Sequence, residues 1–165
     1  VQGIAPASTH RVFGNESMRY MAHLAKRFVT SWSRKDVTED ELNSVRLALT
    51  ASEFKLWCQF SNADKRHSVE VAQRFASLLP GASREHVAGV LLHDIGKIQS
   101  NLSTSMRVIA TLVGPRTKRL SLYHQHEEIG ITMLRHAGSR ADVIAVLNQT
   151  CSAEVAAAFR SADNI

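Results

Sequence analysis

The chain has 165 residues, of which 44% are hydrophobic and 21% charged, and its formal net charge is +5 at pH 7. This composition fits one globular domain with a hydrophobic core and excludes collagen-like, mucin-like and disulfide-rich proteins. Cys58 and Cys151 form no CxxC pair, so we expect reduced thiols in a cytoplasmic protein. The positive charge permits an anionic partner without selecting one, and no nucleic-acid recognition motif is present.

Two segments precede the main domain in our reading of the chain. Residues 1–17 lack periodicity, which predicts a flexible or disordered extension. Between Met21 and Trp32 apolar residues recur at helical spacing opposite a basic face. This pattern predicts an amphipathic helix that buries Leu24, Phe28 and Trp32 against the domain or a second subunit, with weak membrane-surface or partner contact as the alternative. We assign residues 18–60 to N-terminal helices packed on the domain.

Capping residues and helix breakers divide the remaining chain into helices. The predicted helices are 39–49 and 53–60 behind capping boxes at Thr38 and Thr50, 64–79 between Ser61 and Pro80, one capped by Ser83 and interrupted by Gly96, then 106–113, 121–136, 140–148, and one from Ser152 to near Ile165. No stretch alternates like a strand. The sequence therefore predicts an all-α bundle of six or more helices.

Ionisable residues interrupt apolar helix faces at three places. His67 shares a face with Val71 and Phe75, and Asp94 lies on the apolar face of the helix that Ser83 caps. A buried, unpaired carboxylate costs several kcal/mol, so Asp94 needs a cation or strong donors. His93 is its neighbour, and adjacent helical side chains diverge by about 100°, so both reach one ion only where the helix ends.

Asp163 completes the pattern, because it projects from the apolar face of the last helix. Together with His67, His93 and Asp94 it forms a set of two histidines and two aspartates. Such mixed ligands suit Mn²⁺, Fe²⁺, Ni²⁺, Zn²⁺ or Mg²⁺. Two alternatives stay open: His67 is a hydrogen-bonded core histidine, or Asp163 lies exposed in a frayed C-terminus.

The order His67, His93-Asp94, Asp163 resembles the H…HD…D signature of the HD-domain metal-dependent phosphohydrolase superfamily. The stretch Leu91–Lys97 is similar to that family's HDxGK segment, and Phe159–Asp163 to the helix that carries its last aspartate. The resemblance implies an HD-type metal-binding helical domain over residues 61–165. It also implies a divalent metal ion (Mn, Fe, Ni, Co, Zn or Mg) and hydrolysis of phosphate esters or anhydrides, so the leading hypothesis is a phosphohydrolase that acts on a nucleotide or a related phosphorylated small molecule.

Some members of this superfamily bind a second metal through two more histidines. His126 matches the first of those positions, with His124 as the competing choice, while Gln149 stands where the second histidine belongs. An amide is a poorer ligand than imidazole, so we expect one tightly bound metal. His126 then remains a candidate second-metal or phosphate contact.

Catalytic roles follow from the same set. Asp94 would bind the metal and orient the attacking water, and Lys97, one turn further on, would meet the substrate phosphate. Arg66, which flanks His67, is a further candidate phosphate contact. The alternative function is a non-catalytic regulatory or binding module on the HD scaffold, which the loss of a histidine at Gln149 favours.

Overall fold

The computed structural model describes residues 36–100 and 126–164, which belong to one compact unit, Ser33–Ile165. Four predictions lie outside the described residues: the 1–17 extension, the basic helix with Leu24, Phe28 and Trp32, the 106–113 helix and the position of His124.

The described residues form helices and no strands, which confirms the predicted all-α fold. The helices are α1 Glu39–Ala48, α2 Ala51–Trp57, α3 Asn62–Leu78, α4 Arg84–Leu92, α5 Lys97–Ser100, α6 His126–His136, α7 Ala141–Leu147 and α8 Ala153–Asp163. Within these two segments no helix has both the length and the apolar character that crossing a membrane requires.

Side-chain caps set most of the helix starts. Thr38 and Thr50 form capping boxes with the glutamates three residues later, and Ser61, Ser83 and Ser152 each accept a hydrogen bond from a backbone N–H three residues on. The predicted bounds of α2 were wrong by two or three residues. Since Thr50 is the cap, the helix begins directly after it, at Ala51.

The core lies where α3, α4, α7 and α8 pack together. Val71, Phe75, Leu92 and Val146 have no exposed surface. Each such side chain contributes roughly 1.5–3 kcal/mol through burial. Gly89 permits the close approach of α4 to α7, because a Cβ there would lie 2.7 Å from the Cβ of Val146.

Polar contacts fasten α1 and α2 to this core. The Trp57 indole N–H of α2 donates to the Ser68 hydroxyl of α3 across 2.9 Å, with both groups buried. Arg84, at the start of α4, donates through Nε to the carbonyl of Ala48 and through Nη2 to that of Leu49, each at 3.0 Å. The last carbonyls of α1, which have no partner within the helix, are satisfied in this way.

Candidate metal centre

The backbone leaves the α-helical path at the His93-Asp94 pair. α4 ends at Leu92, and the N–H groups of His93, Ile95 and Lys97 bind carbonyls three residues back, at 3.4, 2.9 and 2.9 Å. Such bonds wind the chain more tightly than an α-helix. As a result both side chains reach one place, with His93 Nε2 3.5 Å from Asp94 Oδ2.

His67 of α3 and Asp163, the last residue of α8, reach the same place. Asp163 Oδ1 lies 3.4 Å from His67 Nε2 and 3.6 Å from His93 Nε2. His67 Nε2 is also 3.9 Å from Asp94 Oδ2. The structure therefore brings together all four residues that the sequence singled out, from three separate parts of the chain.

These donors fit a shared divalent ion. One ligand atom each from His67, His93 and Asp163 lies within 4.8 Å of the other two. Two ligands of one ion, each at about 2.0–2.3 Å, are at most about 4.6 Å apart, and the measured contacts of 3.4 and 3.6 Å fall inside that limit. Imidazole nitrogen and carboxylate oxygen are ligands that Zn²⁺, Mn²⁺, Fe²⁺ and Ni²⁺ accept.

The His93 ring is fixed from behind. Its Nδ1 lies 2.7 Å from the Val90 carbonyl oxygen, and the His93 and Phe159 rings pack in a T-shaped arrangement with 5.4 Å between centroids. Because a carbonyl can only accept, Nδ1 carries a proton, which leaves Nε2 as the ring nitrogen that can bind an ion in the site. This backbone contact sets the tautomer that binds a metal.

Lys97 stabilises the ionised form of Asp94. The carboxylate is buried, which by itself raises its pKa, but the charges of Lys97, His93 and His67 outweigh burial and keep the pKa of Asp94 well below its ordinary value. Lys97 Nζ donates directly to Asp94 Oδ2. Asp94 is therefore ionised at neutral pH, as a metal ligand must be.

Asp163 is ionised as well. Burial raises its pKa, the hydrogen bond from His67 and the charge of His93 lower it, and the charge of Asp94 raises it; the net pKa is lowered. Its side chain remains 40% exposed, compared with 7% for Asp94. Because Asp163 nevertheless contacts His67 and His93, the alternative of a frayed, solvent-exposed Asp163 apart from the cluster does not describe this structure.

His126 enters the site because two glycines let α6 approach the turn after Asp94. A Cβ on Gly96 would lie 1.8 Å from the His126 carbonyl oxygen, and one on Gly130 would lie 3.2 Å from the Gly96 nitrogen. At this close approach His126 Nε2 lies 3.6 Å from Asp94 Oδ1. His126 is therefore beside the cluster, where the second-metal or phosphate contact was expected.

The side chain of Gln149 binds a residue outside the metal cluster. It lies in the turn between α7 and α8 with a positive φ of 53°, and its side-chain oxygen accepts a hydrogen bond from Arg160 Nη1 at 3.2 Å. Both side chains are exposed. The residue at the expected second histidine position thus binds a surface arginine.

Arg66 does not face the cluster, contrary to the prediction from the sequence. Its guanidinium is buried and donates to both carboxylate oxygens of Glu41, and its Nε lies 3.3 Å from Glu70 Oε1. On a helix, adjacent side chains point about 100° apart, so Arg66 faces α1 while His67 faces the cluster. Arg66 therefore forms a structural ion pair between α1 and α3 in place of the predicted phosphate contact.

Arg74 lies near the site and was not predicted from the sequence. Arg74 Nε of α3 donates to the carbonyl oxygen of Ala162, next to Asp163, at 2.8 Å. The available signal was spacing, since Arg74 follows His67 by seven residues and so returns to nearly the same helix face.

The fold and this cluster together define a helical domain built around a histidine and aspartate site. The HD domain family model matches residues 65–161, more than half of the chain, and the match includes His67, His93 and Asp94 but ends before Asp163. The chain belongs to the HD domain family. This family generally consists of metal-dependent hydrolases and includes some non-catalytic members. No curated protein and no solved structure is similar enough to the chain to count as a match.

Proposed function

We propose that the chain is a divalent-metal-dependent phosphohydrolase that acts on a nucleotide or a related phosphorylated small molecule. The observation that carries the proposal is the convergence of two histidines and two aspartates from α3, the α4–α5 turn and α8, with each imidazole Nε2 3.4–3.9 Å from an oxygen of both carboxylates. His67, His93, Asp94 and Asp163 would hold the ion. When bound, a divalent ion polarises a phosphoryl oxygen and lowers the pKa of its water.

The chain's own groups supply the rest of the chemistry. Asp94 is ionised and has a second oxygen, Oδ1, directed at His126, so it can accept a hydrogen bond from a water and orient it toward phosphorus. Lys97 places a positive charge beside this oxygen pair, where charge develops on the phosphoryl group. In the overall reaction the water oxygen forms a bond to phosphorus and the phosphorus–oxygen bond to the leaving group breaks.

We propose one tightly bound ion per chain. Gln149 stands at the expected second-histidine position and makes its hydrogen bond to Arg160 on the surface, so this position supplies no imidazole to a second metal. Elemental analysis of the purified protein is expected to return about one equivalent of a divalent metal. Two tightly held equivalents would contradict this stoichiometry.

Turnover is the direct test of the proposed activity. Chelated protein is reloaded with Mn²⁺, Mg²⁺, Ni²⁺, Co²⁺, Fe²⁺ or Zn²⁺ and incubated with nucleotides, cyclic dinucleotides and dinucleoside polyphosphates, and products are separated by chromatography. We expect a metal-dependent product that D94A and H67N fail to form. The matched controls are D142A and H136N, because Asp142 and His136 are exposed residues of the same types.

A non-catalytic binding module is the second candidate, and the contact of Lys97 with Asp94 favours it. That ammonium gives the buried carboxylate a counter-charge from the chain itself, so the fold does not depend on a metal to keep Asp94 ionised. A loaded protein that binds a nucleotide in calorimetry but forms no product with any metal would establish this candidate over the first.

A further inference from the structure

The end of α8 needs an anchor, since it carries Asp163 on its last residue. The last four carbonyls of an α-helix have no partner within the helix, and helix ends fray. Asp163 also has less cover than Asp94, with 40% of its side chain exposed. A ligand in this position keeps its geometry only if another element holds the backbone beside it.

Arg74 supplies that contact from α3. Its Nε donates to the Ala162 carbonyl oxygen at 2.8 Å, which is the carbonyl of the peptide group that joins Ala162 to Asp163. Because a peptide group is planar, fixing its oxygen also fixes the direction in which the Cα of Asp163 lies. A cation at a helix C-terminus additionally interacts favourably with the helix dipole.

The same helix face bears the anchor and a ligand. His67 and Arg74 lie two helical turns apart on α3, and His67 Nε2 is 3.4 Å from Asp163 Oδ1. α3 therefore contacts the end of α8 twice, once through the carboxylate and once through the backbone.

We propose that Arg74 is a positioning residue that holds Asp163 in place as a metal ligand; this inference rests on the proposed metal site. Charge cannot account for the expected effect. Removing a positive side chain near a cation site favours cation binding, so a loss of affinity on removal of Arg74 reports the displaced ligand.

The chain contains a matched control in Arg84. It donates to the carbonyls of Ala48 and Leu49 at the end of α1, both at 3.0 Å, so it makes the same kind of contact. Arg84 begins α4, whereas His93 follows the other end of that helix, about 13 Å away along the axis. R84M therefore measures, in the same protein, the effect of losing an arginine that has only a structural role at a helix end.

The experiment titrates chelated wild type, R74M, R74K and R84M with Mn²⁺ and follows free Mn²⁺ by electron paramagnetic resonance. We expect R74M to bind Mn²⁺ about tenfold or more weakly, R84M to stay within about twofold of wild type, and R74K to recover part of the loss, as is typical of residues that support a metal ligand. Amide hydrogen exchange without metal is the second measurement. The amides of the last turn of α8 should exchange faster in R74M than in wild type, and at the wild-type rate in R84M.

Three results would overturn the inference. R74M that binds Mn²⁺ as tightly as wild type excludes a positioning role, and so does a loss no larger than that in R84M. Unchanged exchange at the end of α8 in R74M removes the anchoring contact on which the role depends. A wild-type protein that takes up no Mn²⁺ or other divalent ion rejects the proposed function, and the inference with it, whereas wild-type binding with an unaffected R74M rejects the inference alone.

Discussion

Neighbouring residues of α3 enter two different charged clusters. Arg66 faces two glutamates, Glu41 and Glu70, and its planar guanidinium donates to both oxygens of Glu41. Next to it, His67 faces the carboxylates of Asp94 and Asp163 and lies beside the His93 ring. The first cluster pairs donors with acceptors and fastens two helices. The second gathers two imidazoles and two carboxylates around one point, which is a set of ligands that a divalent cation can bind.

The buried charges of Arg66 and Asp94 have different partners. Both Arg66 and Asp94 are less than a tenth exposed, so burial alone does not distinguish them. The Arg66–Glu41 pair makes its hydrogen bonds within the pair. Asp94 instead accepts a hydrogen bond from Lys97 on Oδ2 and directs Oδ1 toward His126. Substitutions in the two clusters should therefore change different properties.

The largest effect is expected from D94A. Removing this ligand should weaken binding of Mn²⁺ by more than about 100-fold and abolish hydrolysis, and it should also lower the melting temperature because Lys97 loses this ion-pair partner. Metal titration and thermal unfolding measure the two properties. D142A, an exposed aspartate on α7, should change neither. Retention of metal by D94A would contradict the assignment of the cluster.

The reciprocal substitution is R66M. Breaking a largely buried ion pair removes the guanidinium that faces Glu41 and Glu70, and we expect a loss of about 2–4 kcal/mol in the free energy of unfolding. Binding of Mn²⁺ should stay within about threefold of wild type. The matched control is R46M, because the Arg46–Glu39 pair is exposed and such pairs contribute about 0–1 kcal/mol. Equal losses in R66M and R46M would show that the cluster is not a structural fastener.

Substitution of Gly96 tests how α6 reaches the metal cluster. In G96A the new methyl group would lie 1.8 Å from the His126 carbonyl oxygen, so the start of α6 must move. We expect a stability loss of about 1–3 kcal/mol by chemical denaturation. G81A is the control, since a Cβ there meets nothing within 4 Å. A G96A protein as stable as G81A would mean that the close approach is not required.

The smallest effect is a pH dependence in the Arg66 cluster. The Arg66 hydrogen bonds lower the pKa of Glu41 from 4.5 to about 2, against the opposing effect of burial. A lowered carboxyl pKa stabilises the fold above the unfolded value and loses that contribution as pH falls through the folded value. The stability difference between wild type and E41Q, about 1–3 kcal/mol at neutral pH, should therefore shrink between about pH 4.5 and 2. A difference that is constant down to pH 2 would contradict this assignment.

Local sequence signals predicted much of the fold. The caps at Thr38, Ser61, Ser83 and Ser152 determine where helices begin, because each satisfies a backbone N–H that the helix leaves open. The polar residues His67, Asp94 and Asp163 on apolar faces indicated a site before any contact was known, since buried charges need partners.

Contacts between distant residues could not be predicted in this way. Glu41 lies 25 positions before Arg66, and Arg74 lies 88 positions before Ala162. The position of Arg66 beside His67 in the sequence favoured a phosphate contact, but the helix directs the two side chains to different neighbours. Backbone acceptors such as the Ala162 carbonyl leave no trace in residue type, so the role of Arg74 depends on the packed structure.

Anomalous diffraction from crystals grown with Mn²⁺ tests the central claim most directly. We predict one strong peak bound by His67 Nε2, His93 Nε2 and oxygens of Asp94 and Asp163, each at about 2.0–2.3 Å. A peak elsewhere, or no peak at this cluster in protein that binds Mn²⁺ in solution, would contradict it.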